Sequence, residues 1–250
     1  METKGILRIG TSGIVVPGKK TDYPEIYRSG SRLAYYSSLF PSVEINSTFH
    51  KVPKASTFAK WSSEVPESFK FTIKLWRGIT HAKKLKFNLQ DIDFFIEAAS
   101  QIENKKGCLL VQFPGSITSD YSEEVEEILH RINTFQEEYK WQVAIELRNI
   151  SWYQEVTYDL LDKYGVSLVY HDLAASKPSF ISQKVNIVYL RFHGPTGNYR
   201  DSYSEQFLNA QAISIRNWLL ENKEVYVYFN NTMGGALNNA RYLQDILIRP

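Results

Sequence analysis

The chain has 250 residues, of which 43% are hydrophobic and 22% are charged, and its formal net charge is +2. This is the composition of a globular protein and excludes a largely disordered chain. The near-neutral charge excludes a global electrostatic field that would attract nucleic acid or a membrane surface. Any preference for anions therefore has to come from a local cluster of basic residues.

The N-terminus and the cysteine content predict where the protein is found. Residues 1–9 lack the basic segment and apolar core of a secretory signal. No segment approaches the roughly 20 apolar residues that a membrane span needs. The single cysteine, Cys108, excludes an intramolecular disulfide and a multi-cysteine metal site. We expect a cytoplasmic protein without a membrane partner.

Eight short segments rich in β-branched and aromatic residues predict β-strands. In chain order they cover residues 6–10, 42–46, 69–75, 107–113, 142–148, 166–172, 186–193 and 225–231. Most connections show the apolar periodicity of amphipathic helices. In the connection before the last strand, for example, Phe207, Ile213 and Leu220 predict the buried face. Residues 173–184 lack an apolar stripe, so we expect a short or degenerate sixth helix there.

The alternation of strands and helices predicts parallel strands joined by helical crossovers. An open doubly wound sheet has the same alternation, but eight units in 250 residues favour closure into a (β/α)8 TIM-type barrel. No shift in composition, internal repeat or low-complexity linker divides the chain. We therefore predict a single barrel domain over residues 1–250.

Polar and charged residues cluster where the predicted strands end, which is where TIM barrels build their active sites. These residues are Thr11, Ser12, Glu44, Asn46, Lys74, His81, Gln112, Glu146, Arg148, Trp152, His171, Asp172, Arg191, His193, Tyr199 and Asn230. Burying an unpaired charge is costly, so such a set at one end of a barrel predicts a functional site.

The acidic residues and one histidine of this set are candidates for proton transfer. The four candidate catalytic residues are Glu44, Glu146, Asp172 and His193. In the alternative interpretation these groups are structural, with Glu146 paired to Arg148 and Glu44 paired to Lys74.

The basic residues predict an anionic ligand. Lys74, Arg148 and Arg191 suit carboxylate or phosphate groups, and the other candidate substrate-binding residues are Thr11, Ser12, Asn46, His81, Gln112, Trp152, Tyr199 and Asn230. Gly234 and Gly235 precede the last helix, whose N-terminus binds phosphate in many barrels. Tyr199 and Tyr203 lie in the long loop after the seventh strand, where we predict a mobile lid.

A divalent metal is an open alternative as a cofactor. Glu44, Glu146, Asp172, His171 and His193 are ligand types for zinc, manganese or magnesium. However, the sequence has no short ligand motif such as His-Glu-x-x-His, and the neighbouring arginines repel a cation. We therefore assign no metal ligands, and the sequence requires no cofactor.

A series of motifs runs along nearly the whole chain. They are Gly10-Thr11-Ser12-Gly13, Val43-Glu44-Ile45-Asn46-Ser47-Thr48-Phe49, Ile79-Thr80-His81, Gln112-Phe113-Pro114, Glu146-Leu147-Arg148, Ser151-Trp152, Tyr189-Leu190-Arg191-Phe192-His193-Gly194 and Phe229-Asn230-Asn231. In these motifs the chain resembles the YecE-like proteins, the family of domain of unknown function 72. The resemblance implies a barrel fold and no established activity. Ile14 departs from the family pattern, which has tryptophan there, so the aromatic wall of the first loop is either missing or supplied from elsewhere.

The leading hypothesis is an enzyme that acts on a small anionic substrate, phosphorylated or carboxylated, by acid–base chemistry at the C-terminal rim of the strands. Hydrolysis and isomerisation are both open. One alternative is nucleic-acid binding or metal-dependent phosphodiester cleavage at the same rim, which strong salt dependence would favour. Another is a non-catalytic ligand-binding barrel.

Overall fold

All eight predicted strands are present in the computed structural model, which describes residues 5–179 and 184–248. The strands are β1 (Ile6–Thr11), β2 (Ser42–Ile45), β3 (Lys70–Lys74), β4 (Lys106–Phe113), β5 (Gln142–Leu147), β6 (Ser167–His171), β7 (Ile187–Phe192) and β8 (Glu224–Phe229). Their ends differ from the predicted ends by two residues at most.

Helices connect the strands. The α-helices of the described residues are α1 (Glu25–Arg28), α2 (Arg32–Ser37), α3 (Ser47–His50), α4 (Ala55–Ser63), α5 (Arg77–Thr80), α6 (Leu89–Ala99), α7 (Ser122–Asn133), α8 (Gln136–Tyr139), α9 (Glu155–Lys163), α10 (Glu205–Leu220) and α11 (Ala236–Ile248). Short 3-10 helices cover Lys20–Asp22, Lys83–Leu85, Ser100–Lys105, Ser119–Tyr121, Ile150–Trp152 and Ala174–Ser176.

The strands form one parallel sheet in the order β1-β8-β7-β6-β5-β4-β3-β2. The two ends of this order meet at a single bridge between Ser12 and Glu44. There the backbone N–H of Gly13 donates to the carbonyl of Glu44 at 2.7 Å. The sheet is therefore a nearly closed barrel, which confirms the predicted (β/α)8 TIM-type fold.

A tyrosine side chain completes the seam between β1 and β2. The Tyr36 hydroxyl accepts a hydrogen bond from the backbone N–H of Thr11 at 2.7 Å and donates one to the carbonyl of Ser42 at 3.1 Å. A Cβ atom on Gly10 would lie 2.1 Å from that same carbonyl oxygen, so only glycine lets β1 approach this closely. Tyr36 thus takes the place of direct hydrogen bonds between the strands.

The hydrophobic core consists of a large cluster and a smaller one. The smaller cluster fills the barrel interior and includes three buried tyrosines. Tyr189 donates to Glu44 at 2.6 Å, Tyr226 donates to Gln142 at 2.9 Å, and Tyr228 bonds Thr72 at 2.9 Å. Each hydroxyl therefore has a partner, as buried tyrosines require. Cys108 belongs to the same cluster, and burial raises the pKa of its thiol, as expected for an unreactive core residue.

The predicted buried face of α10 is wrong. Ile213 and Leu220 are 63% and 50% exposed, whereas the buried residues of this helix are Leu208, Ala212, Ile215 and Leu219. At about 100° per residue Ile213 and Leu220 share one face, whereas Phe207 lies about 120° away from Ile213 and is half-buried. The face that contains the small Ala212 is the one that packs against the barrel.

The connection between β6 and β7 is irregular, as predicted. In its described part the only helical element is the 3-10 turn Ala174–Ser176, and residues 180–183 lie outside the described residues. Across residues 5–179 and 184–248, no helix is both long enough and apolar enough to cross a membrane.

Candidate functional site

A cleft of about 380 Å³ opens at the carboxyl ends of the strands. It is lined by Asn46, Phe49, His50, Lys74, Arg77, His81, Gln112, Arg148, Arg191, Tyr199 and Asn230. Eight of these eleven residues belong to the predicted substrate-binding set. Four of the eleven are lysine or arginine, and among the described residues no aspartate or glutamate lines the cleft.

Arg191 forms the centre of the cleft floor and is 1% exposed. Its Nε and Nη2 atoms donate to Glu44 at 2.9–3.1 Å, and its Nη1 atom donates to Glu146 at 3.0 Å. The structural pairing predicted between Glu44 and Lys74 is therefore wrong. Two arginines, and not a lysine, neutralise the two buried carboxylates, because Arg148 also pairs with Glu146 as predicted.

Arg148 connects the floor to the open part of the cleft. Its Nε donates to Glu146, its Nη1 lies 3.0 Å from the Tyr199 hydroxyl, and its Nη2 lies 3.1 Å from Nε2 of His193. A guanidinium has five N–H groups, so two of them have no partner among the described residues. These two N–H groups are free to bind an anion in the cleft.

His193 is a neutral imidazole held in one tautomer. Its Nδ1 lies 3.2 Å from a carboxylate oxygen of Asp172, which can only accept, so Nδ1 carries the proton. Its Nε2 then accepts from Arg191 at 2.9 Å and from Arg148 at 3.1 Å. Burial lowers the pKa of His193 despite Asp172. His193 therefore orients both guanidinium groups, and Asp172, held by Tyr203, orients His193.

The candidate acids Glu44 and Glu146 lie beneath the cleft and are fully buried. Burial by itself would raise the pKa of each carboxyl, but the charge of Arg191, joined at Glu146 by that of Arg148, lowers both pKa values. Both groups stay ionised and bonded to arginine. In this arrangement they hold the cationic groups in place.

Lys74 is a buried lysine of the cleft lining whose amine faces an aromatic ring. Its side chain ends β3, is 7% exposed, and places Nζ 4.0 Å from the centre of the Phe49 ring. Within the described residues it forms no ion pair. Burial, assisted by the charge of Arg191, lowers the pKa of Lys74 to about 7. Burial and the charge of Lys74 lower the pKa of His81 to about 4.

Replacing Lys74 by methionine is expected to raise the free energy of unfolding by about 1–2 kcal/mol at pH 7. The pKa of about 7 lies below the ordinary 10.5, so burial of the charged amine costs stability below pH 7 and costs nothing above pH 10.5. Urea unfolding at pH 6 and at pH 11 measures the difference. A variant no more stable than the wild type at pH 6 would contradict this environment for Lys74.

Two carboxamides of the cleft leave atoms without partners. Nε2 of Gln112 and Oδ1 of Asn46 are buried and have no hydrogen-bond partner among the described residues. An unsatisfied buried polar group costs about 1–3 kcal/mol. A ligand oxygen can accept a hydrogen bond from Nε2 of Gln112, and a ligand hydroxyl can donate one to Oδ1 of Asn46.

Three predicted binding residues lie outside the cleft lining. Thr11 is fully buried and its hydroxyl donates to the Gly13 carbonyl at 2.6 Å, while Ser12 is 6% exposed and bridges to Glu44. Trp152 is 1% exposed, and its indole N–H donates to the Ile117 carbonyl at 2.8 Å. These side chains pack the surrounding structure.

The expected phosphate contact at Gly234 and Gly235 is wrong. The N–H of Gly234 donates to Asn231, and the N–H of Gly235 donates to Asp201, both at 2.9 Å. A Cβ on Gly234 would lie 2.4 Å from the Asp201 carbonyl oxygen, so glycine is needed for this close packing. The two glycines make room for the loop after β7.

Backbone hydrogen bonds join the same loop to the residues around it, and the mobile lid stays a prediction. The N–H of Tyr199 donates to the His193 carbonyl at 2.7 Å, and the N–H of Met233 donates to the Tyr199 carbonyl at 3.2 Å. Tyr199 adopts a positive φ of 66°, which directs its hydroxyl to Arg148. The loop is a built part of the cleft wall.

The sequence reasoning missed His50 and Arg77. Both lie in one-turn helices, α3 and α5, directly after β2 and β3. Their position after a strand end is the signal that could have identified them. Ile14 packs against the core, and the aromatic side chains of the cleft are Phe49 and Tyr199.

The open alternative of a metal site has no support from the donor groups. Within residues 5–179 and 184–248, no group of three or more histidine, cysteine, aspartate or glutamate side chains is arranged to hold a metal ion. The physical reason is that Arg191 and Arg148 occupy the carboxylate oxygens of Glu44 and Glu146.

Known proteins share this fold over the whole chain. A DUF72 family protein from Enterococcus faecalis V583 is 26% identical, covers 100% of both chains and has a TM-score of 0.79. Another from Thermotoga maritima MSB8 is 28% identical, covers 98% of this chain and 100% of its own, and has a TM-score of 0.77. The UPF0759 protein YunF of Bacillus subtilis is 26% identical over an alignment of 260 positions, which covers 90% of this chain and 89% of that protein. The family model "Protein of unknown function DUF72" matches residues 8–249, and the chain therefore belongs to this family of uncharacterised proteins.

Proposed function

We propose that the protein is an enzyme that binds a small substrate through a phosphate or carboxylate group in this cleft. The observation that carries the proposal is the lining, in which four cationic side chains and no carboxylate face the same space. A wall of this kind attracts and orients anions.

The two arginines at the floor of the cleft are balanced by buried carboxylates, whereas the other two cations of the lining are not. Glu44 and Glu146 neutralise Arg191 and Arg148, whereas Lys74 and the exposed Arg77 have no ion-pair partner among the described residues. The cleft therefore has an excess of positive charge whenever Lys74 is protonated. The free N–H groups of Arg148 add directed donors to this field.

Proton transfer in this proposal belongs to Lys74. A group with a pKa of about 7 is present in both protonation states at neutral pH and can give or take a proton. The other four candidates, Glu44, Glu146, Asp172 and His193, hold the arginines in the geometry that binds the substrate. Isomerisation and hydrolysis are both compatible with this division of roles.

Calorimetric titration with inorganic phosphate at low ionic strength tests the proposal. We expect the wild type to bind phosphate and Arg148→Gln to bind it at least about 10-fold more weakly, since a hydrogen bond to a charged group contributes about 1.5–3 kcal/mol. Arg77→Gln removes an exposed cation without exposing a carboxylate, and we expect a loss of about 2- to 5-fold.

The matched control is Lys163→Gln. Lys163 is 61% exposed and pairs with Glu126 at the end of α9, the helix that returns towards the amino ends of the strands. This change lowers the net charge by the same amount but leaves the cleft intact. Equal effects of Lys163→Gln and Arg77→Gln, or no binding by the wild type, would refute the anion site.

A further inference from the structure

We infer that Lys74 is a nucleophile that forms an imine with an aldehyde or ketone group of the anionic substrate. The inference rests on the proposed function, because the arginines of the cleft have to bring the substrate carbonyl to Nζ. It narrows the substrate class to phosphorylated or carboxylated carbonyl compounds.

The contacts of Lys74 differ from those of Lys105, a lysine that is buried to the same extent. Lys105 is 6% exposed, and its Nζ contacts the carbonyl of Ser62 at 2.7 Å, the carbonyl of Val65 at 2.9 Å and the carboxylate of Glu67 at 3.2 Å. These three acceptors occupy the amine of Lys105. Lys74 is 7% exposed, and among the described residues its Nζ has no such acceptor and faces the Phe49 ring.

The neighbourhood of Lys74 favours the neutral amine, which is the nucleophilic form. Burial removes water from the ammonium group and the charges of Arg191 and Arg148 repel it, and together these effects outweigh the opposing charges of Glu146 and Glu44. The pKa of about 7 follows from these causes, so about half of the side chains are unprotonated at neutral pH. Lysine amines activated by desolvation beside other cations form Schiff bases in enzymes.

The groups around Lys74 match the needs of the reaction. The lone pair of Nζ attacks the carbonyl carbon, and the carbonyl electron pair moves to oxygen, which takes a proton. The nitrogen loses a proton to give the carbinolamine, whose hydroxyl takes a second proton and leaves as water as the nitrogen lone pair forms the C=N bond. Loss of the remaining proton from nitrogen gives the imine. The free N–H of Gln112 can stabilise the developing oxyanion, and His81, neutral at pH 7, can carry the proton.

Borohydride trapping of the full chain tests the inference. The probes are dihydroxyacetone phosphate, glyoxylate and pyridoxal phosphate, each added with sodium borohydride, which reduces an imine to a stable secondary amine. Peptide mass mapping then locates the modified lysines. We expect the adduct on Lys74 with at least one probe, no adduct on Lys105, and labelling of Lys74 that rises through pH 7.

Competition by phosphate and substitution of Lys74 distinguish a failure of the imine from a failure of the anion site. Inorganic phosphate should reduce labelling of Lys74, and Lys74→Arg, which has no nucleophilic amine, should abolish the adduct at this position. If the wild-type protein binds phosphate but gives no Lys74 adduct with any probe, imine formation at Lys74 is refuted and the anion site is not. Labelling of Lys74 without any effect of phosphate would instead contradict the proposed anion site.

Discussion

Replacing Arg191 by methionine is expected to lower the free energy of unfolding by about 3–5 kcal/mol, the usual cost of removing one partner from a buried ion pair. Arg191 donates four hydrogen bonds to the carboxylates of Glu44 and Glu146, both of which are fully buried. The methionine fills most of the aliphatic volume but leaves Glu44 without a cation. Urea denaturation at pH 7, followed by circular dichroism, measures the loss.

The pH dependence of this loss identifies its cause. In the wild type the pKa values of Glu44 and Glu146 lie below the ordinary 4.5, so their pairing contributes stability above that pH and loses it as pH falls. In Arg191→Met, burial dominates and raises the pKa of Glu44, so the variant takes up a proton on folding. The difference between the two proteins should therefore shrink from pH 7 to pH 4. A constant difference would show that packing, and not charge, is responsible.

Tyr36→Phe is expected to cost about 2–4 kcal/mol, because it leaves a buried N–H and a buried C=O without partners at about 1–3 kcal/mol each. Removal of the hydroxyl leaves the N–H of Thr11 and the carbonyl of Ser42 facing each other across the seam of β1 and β2. Hydrogen exchange of the Thr11 amide, together with urea denaturation, measures the effect. We expect this amide to lose protection more than the amides of β4 and β5.

Tyr242→Phe is the matched control. The Tyr242 hydroxyl makes only long, exposed contacts with Asn209 at 3.3 Å and Glu205 at 3.5 Å. Its loss should change the free energy of unfolding by less than about 0.5 kcal/mol. A comparable loss in both variants would mean that the Tyr36 hydroxyl does not bridge the seam.

The sequence was sufficient for the barrel and for most of the cleft lining. Strand segments are recognisable because β-branched and aromatic residues concentrate in them, and the fold then brings every strand end to one rim. Lys74, Arg148 and Arg191 were predicted in this way, and all three line the cleft.

Partner choice within the rim could not be predicted. Lys74 and Arg191 are both cations at strand ends, and only the register of β2 and β7 across the interior decides that Glu44 faces Arg191. For the same reason, the sequence could not show that Glu44 and Glu146 lie one layer below the cleft. Glu44 and Glu146 were assigned to proton transfer from their residue type alone, because the sequence does not show how deeply a side chain is buried.

Local motifs with two structural uses were also ambiguous. Gly234 and Gly235 fit an anion-binding turn, but they also fit a close approach of two backbone segments, which is their use here. Likewise, α10 carries apolar residues on more than one face, and its contact with the barrel selects the face with the small Ala212. Tertiary packing decides such cases.

The Arg191 cluster links β2, β5 and β7 through the middle of the barrel. These strands come from distant parts of the chain, so a half-assembled intermediate would contain the arginine without its full set of counterions. The cluster can therefore form only when these three strands have come together in the barrel. A fragment that lacks β2, β5 or β7 would leave a charged side chain of this cluster without one of its partners.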